Sequence, residues 1–189
     1  MDKPLRADAR RNRARILAAA EAVFAEHGAA ASTEEVAARA GVAVGTVFRH
    51  FPTKRDLLAA IMKEVRARLV ARADALLAEG DPATALFDYI AYLVDSASET
   101  GDVLGLLAAE GVPVDPGEQI ASLADAFGAL LDAAQRAGAV RANVRPPEVM
   151  ALVTATAQGA LTGAWPDGLR LRTRGLVVDA LRPRTAAAE

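Results

Sequence analysis

Residues 32–50 read STEEVAARAGVAVGTVFRH, and this stretch decides the fold. Ser32 stands three residues ahead of Glu35, the spacing of a capping box, in which hydroxyl and carboxylate each accept from the other residue's amide. A short helix over 33–40 follows, with Val36, Ala37 and Ala40 on its buried face. Gly41 breaks it, supplying a backbone that can turn sharply, and Val42 plugs the angle. A second short helix covers about 44–50, and Pro52 forces its stop. Two short helices that change direction within the three residues Gly41-Val42-Ala43 form a helix-turn-helix pattern.

Working outward, Ile16, Leu17, Ala20, Val23, Phe24 and His27 lie at helical spacing and predict an amphipathic helix over 8–27, ended by Gly28. His27, on that stripe, reads as a core or cap histidine. Leu57, Leu58, Ile61, Val65 and Leu69 form the stripe of a long helix from Lys54 to about Glu79. Asp81-Pro82 and Asp115-Pro116 read as N-cap plus first-turn proline, Pro146-Pro147-Glu148 opens another helix, and Trp165-Pro166-Asp167 separates it from the last. Helices are therefore expected at about 82–99, 102–109, 116–137, 147–164 and 167–181, with the RTAAAE tail frayed. No stretch alternates as a strand would. The chain is expected to be all-α, with about nine helices. An N-terminal three-helix domain, 1–53, joins a C-terminal helical body, 54–189.

Composition excludes several classes of function. The 189 residues are 52% hydrophobic, which argues against general disorder. There is no cysteine, so disulfides, thiolate nucleophiles and thiolate-bound metals are ruled out, and only two histidines, His27 and His50, are present. No Glu-x-x-His pair and no Ser-His-Asp set is arguable. Hence no catalytic residue, metal or cofactor is expected. The charged N-terminus leads into no signal-like apolar run and no stretch is long and apolar enough to span a bilayer, so a soluble, cytoplasmic protein is expected. The net charge of −2 hides a split: residues 1–68 hold 13 Lys+Arg against 8 Asp+Glu, and the remainder 9 against 16. A basic N-terminal third on an acidic body suggests polyanion binding confined to one end. An architectural DNA-coating protein would be basic over most of its length.

With the helix-turn-helix and its charge in place, STEEVAARAGVAVGTVFRHFPTKRDLL resembles the signature of the TetR family of repressors: a capped helix, the AGV turn, a glycine–threonine step, an aromatic, His-Phe, then a lysine opening the fourth helix. The likeness covers roughly residues 10–62 and extends more weakly through RAGAVRANVRPPEVMAL. It implies an all-helical homodimer whose N-terminal part reads a palindromic operator in double-stranded DNA. A C-terminal part would bind a small effector that releases the operator.

Carried over by position, the family pattern makes Arg49 the base-edge candidate, since a guanidinium pairs bidentately with guanine. Gly45 and Thr46 face DNA, where glycine allows close approach. Ser32 and Thr33 offer free amides to phosphate at a helix start. His50 and Lys54 reach the DNA backbone. Phe48 stands where the family often has a tyrosine and so lacks its hydroxyl. Val44 replaces a frequent lysine and is suited to a thymine methyl. Arg6 and Arg10, with Arg11, Arg13 and Arg15, add affinity through phosphates, and Arg6 serves as a minor-groove arm.

In the body, Tyr89, Tyr92, Leu106, Glu110, Phe127, Thr154 and Gln158 are candidates to line an apolar effector pocket with a few polar groups. The dimer is expected through the last two helices. Ala155, Gly159 and Gly163 recur every fourth residue, and mid-helix glycines, each costing about 1 kcal/mol relative to alanine, call for a closely approaching helix. Leu176, Val177 and Leu181 would supply apolar area from the last helix, with Arg170, Arg172 and Arg174 at the rim or in solvent.

Overall fold

The structure, a computed structural model, describes residues 3–109, 123–163 and 165–183. Among these residues all regular structure is helical: α1 (Lys3–His27), a 3₁₀ turn (Gly28–Ala30), α2 (Thr33–Ala40), α3 (Val44–His50), α4 (Lys54–Glu79), α5 (Ala85–Ala109), α6 (Ala124–Arg136), α7 (Pro146–Thr162) and α8 (Asp167–Leu181). They cluster as two compact units, one from 3–65 with 100–109 and the other from 66–99 with 123–183, so α4 and α5 each contribute to both.

In the first unit the predicted stripes are the core. Ile16, Leu17, Ala20, Val23 and Phe24 of α1 are buried, as are Val36, Ala37 and Ala40 of α2, Val47 of α3, Phe51, and Leu57, Leu58 and Ile61 of α4. Each large side chain removed from water here contributes roughly 1.5–3 kcal/mol, which outweighs the weak tendency of helices as short as α2 and α3 to form alone. The second unit gathers Ala73 and Leu76 of α4, Leu86, Tyr89 and Ile90 of α5, Phe127, Leu130 and Leu131 of α6, Val149 and Val153 of α7, and Leu181 of α8 into one cluster. The Tyr89 and Phe127 rings lie 6.1 Å apart, tilted by 49°. Ahead of α5 the Asp81 carboxylate accepts from the Ala83 amide at 2.9 Å, as a cap would, but residues 82–84 form a turn and the helix begins at Ala85, not at Pro82. Glu148 likewise accepts from the Arg145 amide at 3.1 Å, closing the first turn of α7.

Three expectations are corrected. The helices placed at 82–99 and 102–109 are one unbroken α5, because a lone glycine at 101 costs only about 1 kcal/mol and no proline stands nearby. His27 is not in the core. Of the two readings, core or cap, only the second fits its place: it ends α1 with 46% of its side chain exposed, 3.7 Å from the Glu26 carboxylate, where the chain turns at Gly28 (φ +52°). Arg170 and Arg174 do not stand free in solvent: both converge on Asp95 of α5, at 3.5 and 3.1 Å, tying α8 to α5. Arg172 is exposed, as expected. The Asp115-Pro116 start and Glu110 lie outside the described residues.

Candidate nucleic-acid interface

The site is assembled by two short helices and what holds them. The Glu35 amide donates to Ser32 Oγ at 3.2 Å, and the Ser32 amide donates to Glu35 Oε2 at 2.9 Å. The Ser32 hydroxyl donates to the same oxygen at 3.1 Å, and the two bonds from Ser32 to the carboxylate, backbone first and hydroxyl second, hold the Glu35 carboxyl below its ordinary range. At the far end Gly41 adopts φ +63°, its amide donating to Ala38 O at 3.1 Å while that of Val42 donates to Ala37 O at 3.0 Å. That is a Schellman end, and it requires the left-handed residue that glycine supplies.

Three residues later α3 begins. The Thr46 amide donates to Ala43 O at 2.8 Å, and the Phe51 amide closes the helix onto Val47 O at 2.8 Å. Val47 is fully buried and anchors one side of α3. The opposite side presents Gly45, Arg49 and Phe48, the last 46% exposed, flanked by half-buried Val44, Thr46 and His50. A Cβ added at Gly45 would meet nothing within 4 Å, so this turn of backbone is open to close approach. The Arg49 Nε donates to Gly45 O at 3.3 Å, which lays the guanidinium along the exposed face. Ser32 and Thr33 sit half-buried at the start of α2.

The arginines ahead of this site are less uniform than their sequence run suggests. Arg11 pairs with Asp8, one turn away. The Arg13 guanidinium lies 5.4 Å from the Phe51 ring centroid, and Arg15 donates to the carbonyls of Ala40 and Gly41, the latter at 3.3 Å. Arg10 is exposed on α1; Arg6 lies in the first turns of α1, its side chain outside the described residues. Lys54 opens α4 with its Nζ donating to Ala29 O at 3.2 Å and Ala31 O at 3.3 Å. A bidentate pair at 2.6 Å joins Arg39 of α2 to Glu26 of α1 and lowers the Glu26 carboxyl. Apart from the local Arg11–Asp8 pair, sequence reasoning missed these ties because they join residues far apart in the chain, where no local spacing announces them.

The effector and dimer candidates scatter more widely. Tyr89 and Phe127 are fully buried in the core cluster, and the Tyr89 hydroxyl donates to Leu69 O at 3.2 Å. Tyr92 and Thr154 are half-buried, Leu106 is buried and Gln158 is exposed. The Arg72 guanidinium sits 5.9 Å from the Tyr92 ring. Val177 and Leu181 are 8% and 2% exposed within the chain, so their area is already spent on its own core; Leu181 belongs to the core cluster. Leu176 is 69% exposed, with Leu152, Leu169 and Leu171 also exposed, and Ala155 is on the surface. Gly159 and Gly163 have a partner inside the chain: an added Cβ would lie 2.8 Å from the Trp165 ring at one and 2.5 Å from its Nε1 at the other. The glycines make room for that indole, so they need no second helix to account for them.

A fold that is all-helical among the described residues, with a helix-turn-helix set in a basic N-terminal third, is the architecture of a DNA-binding regulator. Comparison with known proteins places it further. Residues 16–61 match the family described as bacterial regulatory proteins, tetR family, and residues 81–183 match the C-terminal domain described as transcriptional regulator SbtR-like. A TetR transcription regulatory protein from Mycobacterium vanbaalenii is 38% identical over 95% of this chain and all of its own, with a TM-score of 0.79. The TetR regulator SCO0520 from Streptomyces coelicolor is 37% identical over 92% of this chain and 99% of its own, at 0.75. SmeT, the repressor of the Stenotrophomonas maltophilia multidrug efflux pump SmeDEF, is 27% identical over 89% of this chain and 87% of its own, at 0.59. No curated protein matches the sequence. The chain belongs to the TetR family: it is a ligand-responsive, DNA-binding regulator of transcription and not an enzyme. Among the described residues no helix is long and apolar enough to cross a membrane.

Proposed function

We propose that this regulator is a cytoplasmic homodimeric repressor whose α3 reads the major groove of each half of a palindromic operator. The observation that carries this reading is the division of α3 between a fully buried Val47 and an exposed face of Gly45, Phe48 and Arg49. A helix so anchored offers three side-chain positions to base edges while its other face stays in the core. Arg49 supplies a guanine contact, Gly45 and Thr46 let the backbone approach, and Val44 with Phe48 offers apolar contact to thymine methyls. Ser32, Thr33, His50, Lys54, Arg6 and Arg10 serve the DNA backbone. The reader corresponds to residues 1–53 and the effector-binding and dimerising body to 54–189.

The effector is a small, largely apolar molecule held in the body near Tyr89, Tyr92 and Phe127. The cluster around these rings supports that chemistry, because a site lined by aliphatic and aromatic groups favours apolar area over charge. The exposed leucines of α7 and α8 support dimerisation there: Leu169 and Leu176, seven residues apart, share one face of α8. Effector binding shifts the population toward a spacing of the two readers that misfits the operator. Genome-wide occupancy, recorded with and without candidate apolar compounds, tests the reading. The expected result is a small set of promoters bearing one shared palindrome, vacated on addition of one compound. Occupancy without a shared motif would overturn it.

A further inference from the structure

We propose that Glu26, an acidic residue of α1, is a positioning residue of the DNA reader: its ion pair with Arg39 holds the end of α2 and so aims α3. Charge alone gives Glu26 the opposite role, since a carboxylate near bound DNA repels phosphate and lowers affinity. Its partner gives it a different one. Arg39 Nη1 donates to Glu26 Oε1 and Nη2 to Glu26 Oε2, both at 2.6 Å. Two parallel bonds fix the orientation of guanidinium and carboxylate, which a single bond leaves free. Glu26 stands in the last turn of α1 and Arg39 in the last turn of α2, thirteen positions further along the chain. Two other ionisable groups face the pair. His27 Nε2 lies 3.7 Å from Glu26 Oε2, beyond hydrogen-bond distance. Glu35, one turn before Arg39 on α2, adds its own attraction for the guanidinium.

What the pair holds is the junction with α3. Ala40 ends α2, and only Gly41, Val42 and Ala43 separate it from Val44. Val36, Ala37 and Ala40 bury one face of α2. Their apolar contact is non-directional, so it sets how closely the helix lies against its neighbours better than it sets rotation or slide. A directional pair one residue from the helix end removes that freedom. The direction in which α2 ends sets the direction in which α3 presents Arg49 and Phe48, and base contacts suffer from misdirection more than phosphate contacts do. The side chains of Arg39 and Glu26 are 40% and 52% exposed, and an ion pair so exposed adds little to stability. Its effect therefore falls on aim. This inference rests on α3 being the reading helix.

The test uses the full-length protein, a duplex selected by that protein from a random pool, and a shuffled duplex of the same composition. Affinities are measured for Glu26→Gln, Glu26→Asp, Arg39→Glu and the exchange Glu26→Arg with Arg39→Glu, each on protein whose helical circular dichroism matches the parent. Glu26→Gln removes a negative charge, so shuffled DNA should be bound at least as well as by the parent. The ratio of selected to shuffled affinity should nevertheless fall about threefold to fivefold. Glu26→Asp keeps the charge but loses a methylene of reach, and should lose discrimination likewise. The exchange restores opposite charges and should recover most of the ratio lost in Arg39→Glu. A parental ratio for Glu26→Gln would overturn the proposal. So would a loss in Arg39→Glu that the exchange fails to recover, since Arg39 would then act on DNA by itself. Arg49→Ala, measured alongside, keeps the two readings apart: its ratio falls if α3 is the reader, whatever Glu26 does. Should the charge-reversed variants fail to fold, Glu26→Gln decides alone: a fallen ratio with undiminished shuffled binding supports the clamp, and a parental ratio refutes it.

Discussion

Arg49 and Tyr89 illustrate two opposite fates of a polar side chain. Arg49 keeps its guanidinium outside, held among the described residues by a 3.3 Å bond to Gly45 O in its own helix, so little is lost when it turns to a base. Arg49→Ala should cost about 1–3 kcal/mol on the selected operator and relax preference at one base position, read by competition against single-base variants. Equal losses on every duplex would reassign it to phosphate. Tyr89 is fully buried, and burial first, then the nearby Tyr92 and Asp74, pushes its hydroxyl from the ordinary 10.0 up to about 12. A group raised in the folded state contributes full stability below its unfolded value and loses it as pH climbs toward the folded one. Stability should therefore fall between pH 10.0 and about 12, by at most about 3 kcal/mol from this group. Urea midpoints across that window should drop less steeply for Tyr89→Phe than for the parent.

Among the elements, α2 shows what a sequence can and cannot announce. Its start, its end and its buried face follow from Ser32, Glu35, Gly41 and the Val36–Ala40 spacing, all within ten residues, and the structure has each of them. The Arg15 and Lys54 ties on the same helix span 25 and 23 or more positions, beyond any local pattern. The same holds for Trp165, whose indole explains Gly159 and Gly163, and for Asp95, which draws in Arg170 and Arg174. In α5 the difference runs the other way: the break expected between 99 and 102 does not occur, and the helix simply absorbs Gly101. Because the Glu35 carboxyl is depressed by its bonds to Ser32, the capping box stabilises α2 above the ordinary 4.5 and loses that contribution as pH falls toward the folded value. Glu35→Gln should accordingly lose less stability than the parent on going from about pH 5 to about pH 3 in thermal melts. A parallel loss in both would remove this carboxylate from the acid response.

For the molecule as a whole, the distribution of exposed apolar groups matters more than the glycines. Leu176, 69% exposed, lies on the same face of α8 as Leu169. Leu176→Glu adds a charge that a closed interface must desolvate, so it should shift the protein to monomer in sedimentation and weaken operator binding at the same time. A dimer unaffected at nanomolar concentration would place the interface elsewhere. Gly159→Leu is a poorer probe, since its side chain would strike Trp165 whether or not a partner is present.

That indole has an optical consequence. It is the chain's only tryptophan, beside two tyrosines, and it rests over Gly159 and Gly163 at the corner between α7 and α8. All indole fluorescence of the protein therefore originates at this one corner. The colour of that emission follows the wetness of its surroundings, so any event that loosens or covers the corner is written into the spectrum. The regulator thus carries a built-in, label-free light source beside the helices proposed to join its two copies.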